Sequence, residues 1–259
     1  MEWGYTAAGF LVGLLVGLTG VGGGSLMTPL LIFLFQVNPA IAVGTDLLFA
    51  AITKAGGVWK HNRKQHIDWK IVALLSLGSI PTALVSLVLI KDQLGQNHQL
   101  ETLITSTLGI ALILTACAII FRNQMNRFGN TLSTKYPIWR KKRNHVTIAA
   151  GVLLGLLVPI TSVGAGALGA AILMFLYPSL AIKRVVGTDI AHAVPLTLIA
   201  GLGHLQMGTV DIELLLILLL GSLPGIYLGS HLSGSVPERI TRPLLASMLL
   251  LIGVKFVTS

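Results

Sequence analysis

Two aspartates, Asp46 and Asp189, occupy the same Gly-Thr-Asp motif within otherwise apolar stretches of the chain. An ionisable side chain at membrane depth is energetically costly, so each is a functional candidate, either as the carrier of a coupling proton or as an acceptor of backbone N–H bonds that orders the broken segment. The neighbouring hydroxyl residues Thr45 and Thr188 are candidates for the same gating or coupling role. The alternative is that these four residues cap helix ends near an interface. Sequence does not give depth, so both interpretations stay open.

His192 is the fifth candidate for gating or coupling and lies three positions after Asp189. Residues spaced by three share a helix face, which would allow a proton relay. A buried histidine with its hydrogen bonds satisfied is the alternative. We expect Lys54 to extend its amino group to the surface near a cytoplasmic helix end, and His61 and His204 to be interfacial residues at helix ends.

Glycine-rich stretches interrupt two apolar runs, TGVGGGS at 19–25 and TSVGAG at 161–166. Glycine lets the backbone leave a helix, and the helix that follows begins with free N–H groups that attract an anion. The predicted substrate-binding residues are therefore Thr19, Gly22, Gly23, Gly24, Ser25, Thr161, Ser162, Gly164, Ala165 and Gly166. The alternative is that these small residues only allow close helix packing.

The composition indicates which elements hold these residues. The 259 residues are 54% hydrophobic and only 10% charged, whereas soluble domains carry about 25% charged residues. Stretches such as 212–223 and 244–254 are apolar on every face, which favours membrane helices over a barrel. The predicted spans are about 4–20, 24–36, 40–59, 69–90, 101–121, 145–161, 165–178, 185–205, 211–231 and 240–257. The N-terminal stretch is expected to be the first span and not a cleaved signal peptide.

The predicted fold class is thus an all-α polytopic membrane protein with 8–10 transmembrane segments. The count is a range because 24–36 and 165–178 are short for a bilayer, which needs about 20 residues per helix. These two segments either span fully or re-enter, and the sequence leaves both open.

The sequence also indicates that the chain consists of two repeats. Residues 9–34 resemble 151–176 at an offset of 142, and Gly44-Thr45-Asp46 matches Gly187-Thr188-Asp189 at an offset of 143. We therefore predict a first repeat at 1–121, a basic linker at 122–144 and a second repeat at 145–259. Basic residues cluster between 54 and 70 and between 122 and 143, and membrane proteins keep such loops in the cytoplasm. This places the N-terminus outside and inverts one repeat relative to the other, an arrangement typical of secondary transporters with broken helices.

The run GLTGVGGGSLMTPLL at 17–31, the following VGTD at 43–46 and their weaker return in the second half resemble the sulfite exporter TauE/SafE family. In the second copy, Pro159 stands at the position of Gly17, and Ala165 at that of Gly23. The resemblance implies a multi-pass bacterial or archaeal inner-membrane transporter of sulfite, sulfonates or related organosulfur or organic anions.

The leading functional hypothesis is a secondary transporter of a small anion that works by alternating access. Proton coupling through Asp46 and Asp189 is a separate hypothesis. A passive anion channel with the same site is the alternative. A third hypothesis, an intramembrane aspartyl protease, would require these two carboxyl groups to share a proton. No catalytic residue, cofactor, metal site or nucleic-acid partner is predicted. The direction of transport, the coupling ion and a homo-oligomeric state are left open.

Overall fold

The computed structural model describes residues 2–19, 24–93, 97–135, 137–232 and 238–258, and every regular element in these ranges is an α-helix. The helices in chain order are α1 (Glu2–Thr19), α2 (Gly24–Phe35), α3 (Pro39–Arg63), α4 (Trp69–Gln93), α5 (Asn97–Ile120), α6 (Arg122–Lys135), α7 (Pro137–Thr161), α8 (Ala167–Leu176), α9 (Ile182–Gln206), α10 (Ile212–Leu232) and α11 (Glu238–Thr258). The prediction of an all-helical polytopic membrane protein is confirmed.

Among the described residues, six helices are long and apolar enough to cross a membrane, by length and composition. They are Pro39–Arg63, Trp69–Asp92, Glu101–Ile120, Lys142–Thr161, Ile182–Gln206 and Ile212–Gly229. The shorter apolar helices include Leu26–Phe35 and Ala167–Leu176. At 1.5 Å per residue, α2 and α8 are about 18 and 15 Å long, well below the roughly 30 Å of a hydrocarbon core. Neither can span a bilayer alone.

The predicted linker at 122–144 is largely helical. Its first part is α6, and the predicted boundary at residue 145 falls inside α7. The Asn126 amide donates to the carbonyl of Pro178 at 3.3 Å, and the rings of Phe128 and Phe175 stack at 6.0 Å. The amphipathic helix α6 therefore packs along α8.

The main helix contacts join the first half of the chain to the second. Helix α1 packs chiefly on α10, α4 on α7, α5 on α11, and α3 on α9. The α1–α10 and α4–α7 contacts correspond under the predicted repeat. A side chain at Gly13 would overlap the backbone of Ser222, and one at Gly155 would overlap that of Ser79. The repeat itself stays a prediction. The contacts of Gly13 with Ser222 and of Gly155 with Ser79 are related by its offsets of 142 and 143 residues.

Helices α3 and α9 are the most buried of the six long apolar helices and cross each other. The hydroxyl of Thr45 on α3 accepts the N–H of Asp211 at 3.0 Å, just before α10. The hydroxyl of Thr188 on α9 accepts the N–H of Asp68 at 2.9 Å, just before α4. These two bonds tie each central helix to the start of a helix from the other half.

Glycine at the α1–α10 contact makes a testable contribution to stability. A Cβ at Gly221 would overlap the backbone carbonyl oxygen of Thr6, so Gly221→Ala must push the helices apart. We expect a loss of about 1–3 kcal/mol, as for other overpacked sites, measured as a lower midpoint of thermal unfolding in detergent. The control is Gly57→Ala, where a Cβ meets only Ile190 at 3.6 Å. Equal losses in both variants would contradict the packing argument.

Candidate functional site

The second glycine-rich stretch is a break between two helices. Helix α7 ends at Thr161 and α8 begins at Ala167. Between them Ser162 has φ 56° and Gly164 has φ 120°, and the latter value favours glycine because it lacks a Cβ. The hydroxyl of Thr161 accepts the N–H of Val163 at 3.1 Å and so stabilises the turn. The whole break is buried.

The first glycine-rich stretch lies mostly outside the described residues. Gly22 and Gly23 fall there, and nothing is described of the side chains at Thr19, Gly24 and Ser25. Helix α2 begins at Gly24. The role of these five residues therefore stays a prediction.

Asp46 and Asp189 do not cap their helices. The cap of α3 is Asn38, whose side chain accepts the N–H of Ala40 at 3.0 Å, and the residue before α9 is Ala181. Both aspartates lie about two turns inside their helices and are buried, with 0% and 3% exposure. The capping interpretation of Asp46 and Asp189 is therefore wrong, and their gating or coupling role stays a prediction.

Each carboxylate faces one of the short helices. The hydroxyl of Thr28 on α2 donates to Asp46 Oδ2 at 2.5 Å. A Cβ at Gly169, in the first turn of α8, would overlap Asp189 Oδ1, so that carboxylate rests directly on α8. The hydroxyl of Ser162 faces Asp46 without reaching hydrogen-bond geometry. The two aspartates therefore connect the central helices to the helices that follow the glycine-rich stretches.

Lys54 does not reach the surface, which corrects the sequence interpretation. Its side chain is only 6% exposed, and Nζ donates to the carbonyl oxygen of Ala165 in the break at 2.5 Å. The ammonium also interacts electrostatically with Asp189 and Asp46. The interpretation failed because α3 continues to Arg63, which leaves Lys54 deep in the helix with a carbonyl and two carboxylates as partners.

His192 is buried on the same helix as Asp189. Its Nε2 lies 2.8 Å from the hydroxyl of Ser79 on α4, and its Nδ1 has no hydrogen-bond partner among the described residues. The ring is therefore satisfied on one side only. It also lies within electrostatic range of Lys54. This position is compatible with the prediction that His192 takes part in gating or coupling, which stays a prediction.

His204 is the second correction. It is fully buried, with Nδ1 2.8 Å from Thr209 Oγ1 and Nε2 2.9 Å from the carbonyl oxygen of Pro159. This carbonyl lies in the last turn of α7, next to the break. His204 therefore ties the end of α9 to the helix end that opens the break, and is not an interfacial residue.

We call Asp46, Lys54, Ser162, Asp189 and His192 the buried cluster. Four of its buried polar atoms have no hydrogen-bond partner among the described residues: Asp46 Oδ1, Ser162 Oγ, Asp189 Oδ1 and His192 Nδ1. Unpaired buried polar atoms are rare in folded proteins. Four in one cluster make the buried cluster the candidate functional site.

Sequence reasoning missed the contact of Thr28 with Asp46 and the burial of Lys54. A signal for Lys54 was present, because it is the first basic residue of the chain and lies eight positions after Asp46. That spacing puts both on one side of a helix. Thr28 had no comparable signal, since its contact depends on how α2 folds back onto α3.

A multi-pass helical protein with a broken helix beside buried charges, where its two central helices cross, has the architecture of a membrane transporter. The family model described as sulfite exporter TauE/SafE matches residues 5–256, and the chain belongs to this family. The resemblance seen in the sequence is thus confirmed.

Two relatives are similar over almost their whole length. The chain is 41% identical to the probable membrane transporter protein YjnA of Bacillus subtilis, covering 96% of this chain and 97% of that protein. It is 27% identical to the probable membrane transporter protein MJ0441 of Methanocaldococcus jannaschii, covering 95% and 91%. No solved structure gives a significant match to the chain.

Proposed function

We propose that this protein is a secondary transporter that carries a small sulfur-containing or organic anion, such as sulfite or a sulfonate, across the cell inner membrane by alternating access. The observation that carries the proposal is the buried ammonium of Lys54, held against the carbonyl of Ala165 in the helix break. The family description as sulfite exporters supports the choice of anion.

Lys54 supplies the charge that an anion needs in a dry site. An ammonium has three donors, and among the described residues Ala165 accepts from one of them. The N-terminus of α8, with its partial positive charge, begins two residues later at Ala167. An anion between Lys54 and the break would therefore contact a side chain from the first half and backbone from the second.

Charge balance favours proton coupling. If Lys54, Asp46 and Asp189 are all ionised, the three groups carry one net negative charge, and a bound anion would add another. Uncompensated buried charge costs several kcal/mol per ion. The anion therefore enters with a proton on one of the carboxylates or on His192. Asp189 is the preferred carrier, because its Oδ1 has no hydrogen-bond partner among the described residues, whereas the hydroxyl of Thr28 donates to Asp46 and stabilises its ionised form.

The arrangement of the two halves fits alternating access. Contacts across the halves recur at the repeat offsets, as at Gly44 against Thr209 and Gly187 against His66. We propose that the repeats are inverted, that the N-terminus lies outside, and that the basic segment 122–144 lies in the cytoplasm. One half would then move against the other around the buried cluster.

The test is transport in proteoliposomes, measuring counterflow of sulfite, thiosulfate, sulfoacetate and chloride. We expect saturable counterflow of one sulfur anion, and accumulation of about tenfold for each unit of pH difference at one proton per anion. Asp189→Asn should keep counterflow and lose pH-driven accumulation, because exchange needs no net proton movement. The matched control is Asp92→Asn at the exposed end of α4, which should keep both.

Two results would contradict the proposal. Passive chloride flux without counterflow would indicate a channel. Folded protein that moves none of these anions would show that the substrate class is wrong. A protease dyad is disfavoured because it shares a proton between its carboxylates, whereas here a lysine ammonium interacts with both.

A further inference from the structure

A pocket of about 220 Å³ lies away from the buried cluster, at the start of α4. Its walls come from both halves of the chain: the first turns of α4, the polar part of α7, and the connection between α8 and α9. The lining residues are Asp68, Lys70, Ile71, Leu74, Arg143, Asn144, Tyr177, Ser179 and Leu180. Drug-sized ligands occupy pockets of about 300–1,000 Å³, so this one suits a smaller group.

The pocket is positively charged. Lys70 and Arg143 line it, and neither forms an ion pair within the described part of the chain. The one lining carboxylate, Asp68, is already engaged: Oδ2 lies 3.4 Å from Arg184 Nη2, and Oδ1 accepts the N–H of Ile71. The charge of Asp68 is therefore offset by Arg184, and Lys70 and Arg143 give the pocket its net positive charge.

The guanidinium of Arg143 is held in place. It lies 4.5 Å from the centre of the Tyr177 ring, and that ring is fixed by a 2.9 Å hydrogen bond between its hydroxyl and Thr147. Arg143 Nε is buried and has no hydrogen-bond partner among the residues the structure describes. A fixed guanidinium with an unused donor suits an oxyanion, because its planar fork matches phosphate oxygens.

The position of the pocket indicates the source of the oxyanion. It opens where α4 begins, and the neighbouring Trp69 is exposed, as is usual for aromatic residues at headgroup level. Basic loops set the orientation of a membrane protein through their charge alone. They do not require the packing of Arg143 against Tyr177 or the hydrogen bond between Tyr177 and Thr147. At the predicted repeat offset the basic Lys70 corresponds to the acidic Glu213, so the positive charge of this pocket is not repeated in the second half.

We propose that this pocket binds the phosphate of an anionic phospholipid headgroup, held by Arg143 and Lys70. Basic pockets between membrane helices commonly bind such headgroups. Because α4 and α7 come from different halves and pack on each other, the bound lipid bridges the halves. The site does not depend on which anion the protein transports.

The test measures thermal stabilisation of the detergent-solubilised full chain by phosphatidylglycerol, with phosphatidylcholine as the zwitterionic reference. Arg143→Gln and Lys70→Gln should each weaken the apparent affinity for phosphatidylglycerol about fivefold, the effect of one cation near a charged headgroup. Lys183→Gln removes an exposed charge outside the pocket and should leave the affinity unchanged. If Arg143→Gln does not fold, Arg143→Lys keeps the charge and should still weaken binding, because lysine lacks the planar fork.

Equal weakening in all three glutamine variants, or in none, would overturn the pocket as a specific site. Glycerol phosphate in solution decides the source of the oxyanion. Failure to compete with phosphatidylglycerol supports a lipid ligand, whereas competition at similar concentration would overturn the lipid and assign the pocket to a soluble phosphate.

Discussion

Lys54→Gln is expected to lower the initial rate of anion counterflow by about 100-fold or more. The glutamine keeps a donor for the carbonyl of Ala165 but removes the only cation that interacts with both buried aspartates among the described groups. Truncating one partner of a buried, hydrogen-bonded charge pair in a binding site costs about 2–5 kcal/mol, and each 1.4 kcal/mol corresponds to tenfold. The measurement is the initial rate of counterflow in proteoliposomes at an anion concentration well below saturation, with the amount of folded protein determined in parallel.

Two further variants separate the charge of Lys54 from its contact with the anion. Lys60→Gln, at an exposed position on the same helix, should transport normally. Lys54→Gln combined with Asp189→Asn removes one charge of each sign, so thermal stability should recover while counterflow stays lost. Wild-type counterflow in this double variant would mean that Lys54 only neutralises Asp189, and the proposed anion contact would be wrong.

Gly169→Ala is expected to have the next largest effect, a decrease of about 100-fold in the initial rate of pH-driven anion uptake, while counterflow is kept as in Asp189→Asn. The added Cβ would overlap Asp189 Oδ1, so the carboxylate must move away from α8 and from its place beside Lys54. Displacement of a reacting group by about 1 Å typically costs about 100-fold. The overlapped atom is the end of a movable side chain, so the loss of stability should be near 1 kcal/mol, at the low end for overpacked sites.

The control is Gly56→Ala on α3, where an added Cβ meets nothing within 4 Å. Alanine favours a helix by up to about 1 kcal/mol over glycine, so this variant should be as stable as the wild type or slightly more stable, with unchanged transport. If Gly169→Ala shows pH-driven uptake at the wild-type rate while remaining folded, the position of Asp189 against α8 is not needed for proton coupling.

Much of the fold could be predicted from the sequence because it depends on local composition. Long apolar runs with few charges indicated membrane helices, and the predicted spans coincide with the long helices to within a few residues at most ends. The glycines and hydroxyl residues at 161–166 indicated a break, and α7 and α8 are separated there. The motif that begins at Gly17 indicated the TauE/SafE family, which the family match confirms.

The linker is the segment for which local composition did not predict the structure. Its basic and polar residues distinguished 122–144 from the spans, but did not show that α6 packs on α8 or that α7 begins before residue 145. An amphipathic helix on a protein surface and an irregular polar connection have similar compositions. The two can be distinguished only by the surface on which the segment packs, which here is α8.

The sequence by itself determined the class of protein, the helices, the family and the two Gly-Thr-Asp motifs. Tertiary structure alone decided which charged and polar side chains are buried. Lys54 and His204 both look like residues at helix ends, yet both are buried, because each meets backbone carbonyls freed where α7 ends and the break begins. Burial depends on contacts between helices more than 40 residues apart in the chain, and a local pattern of residue types carries no record of those contacts.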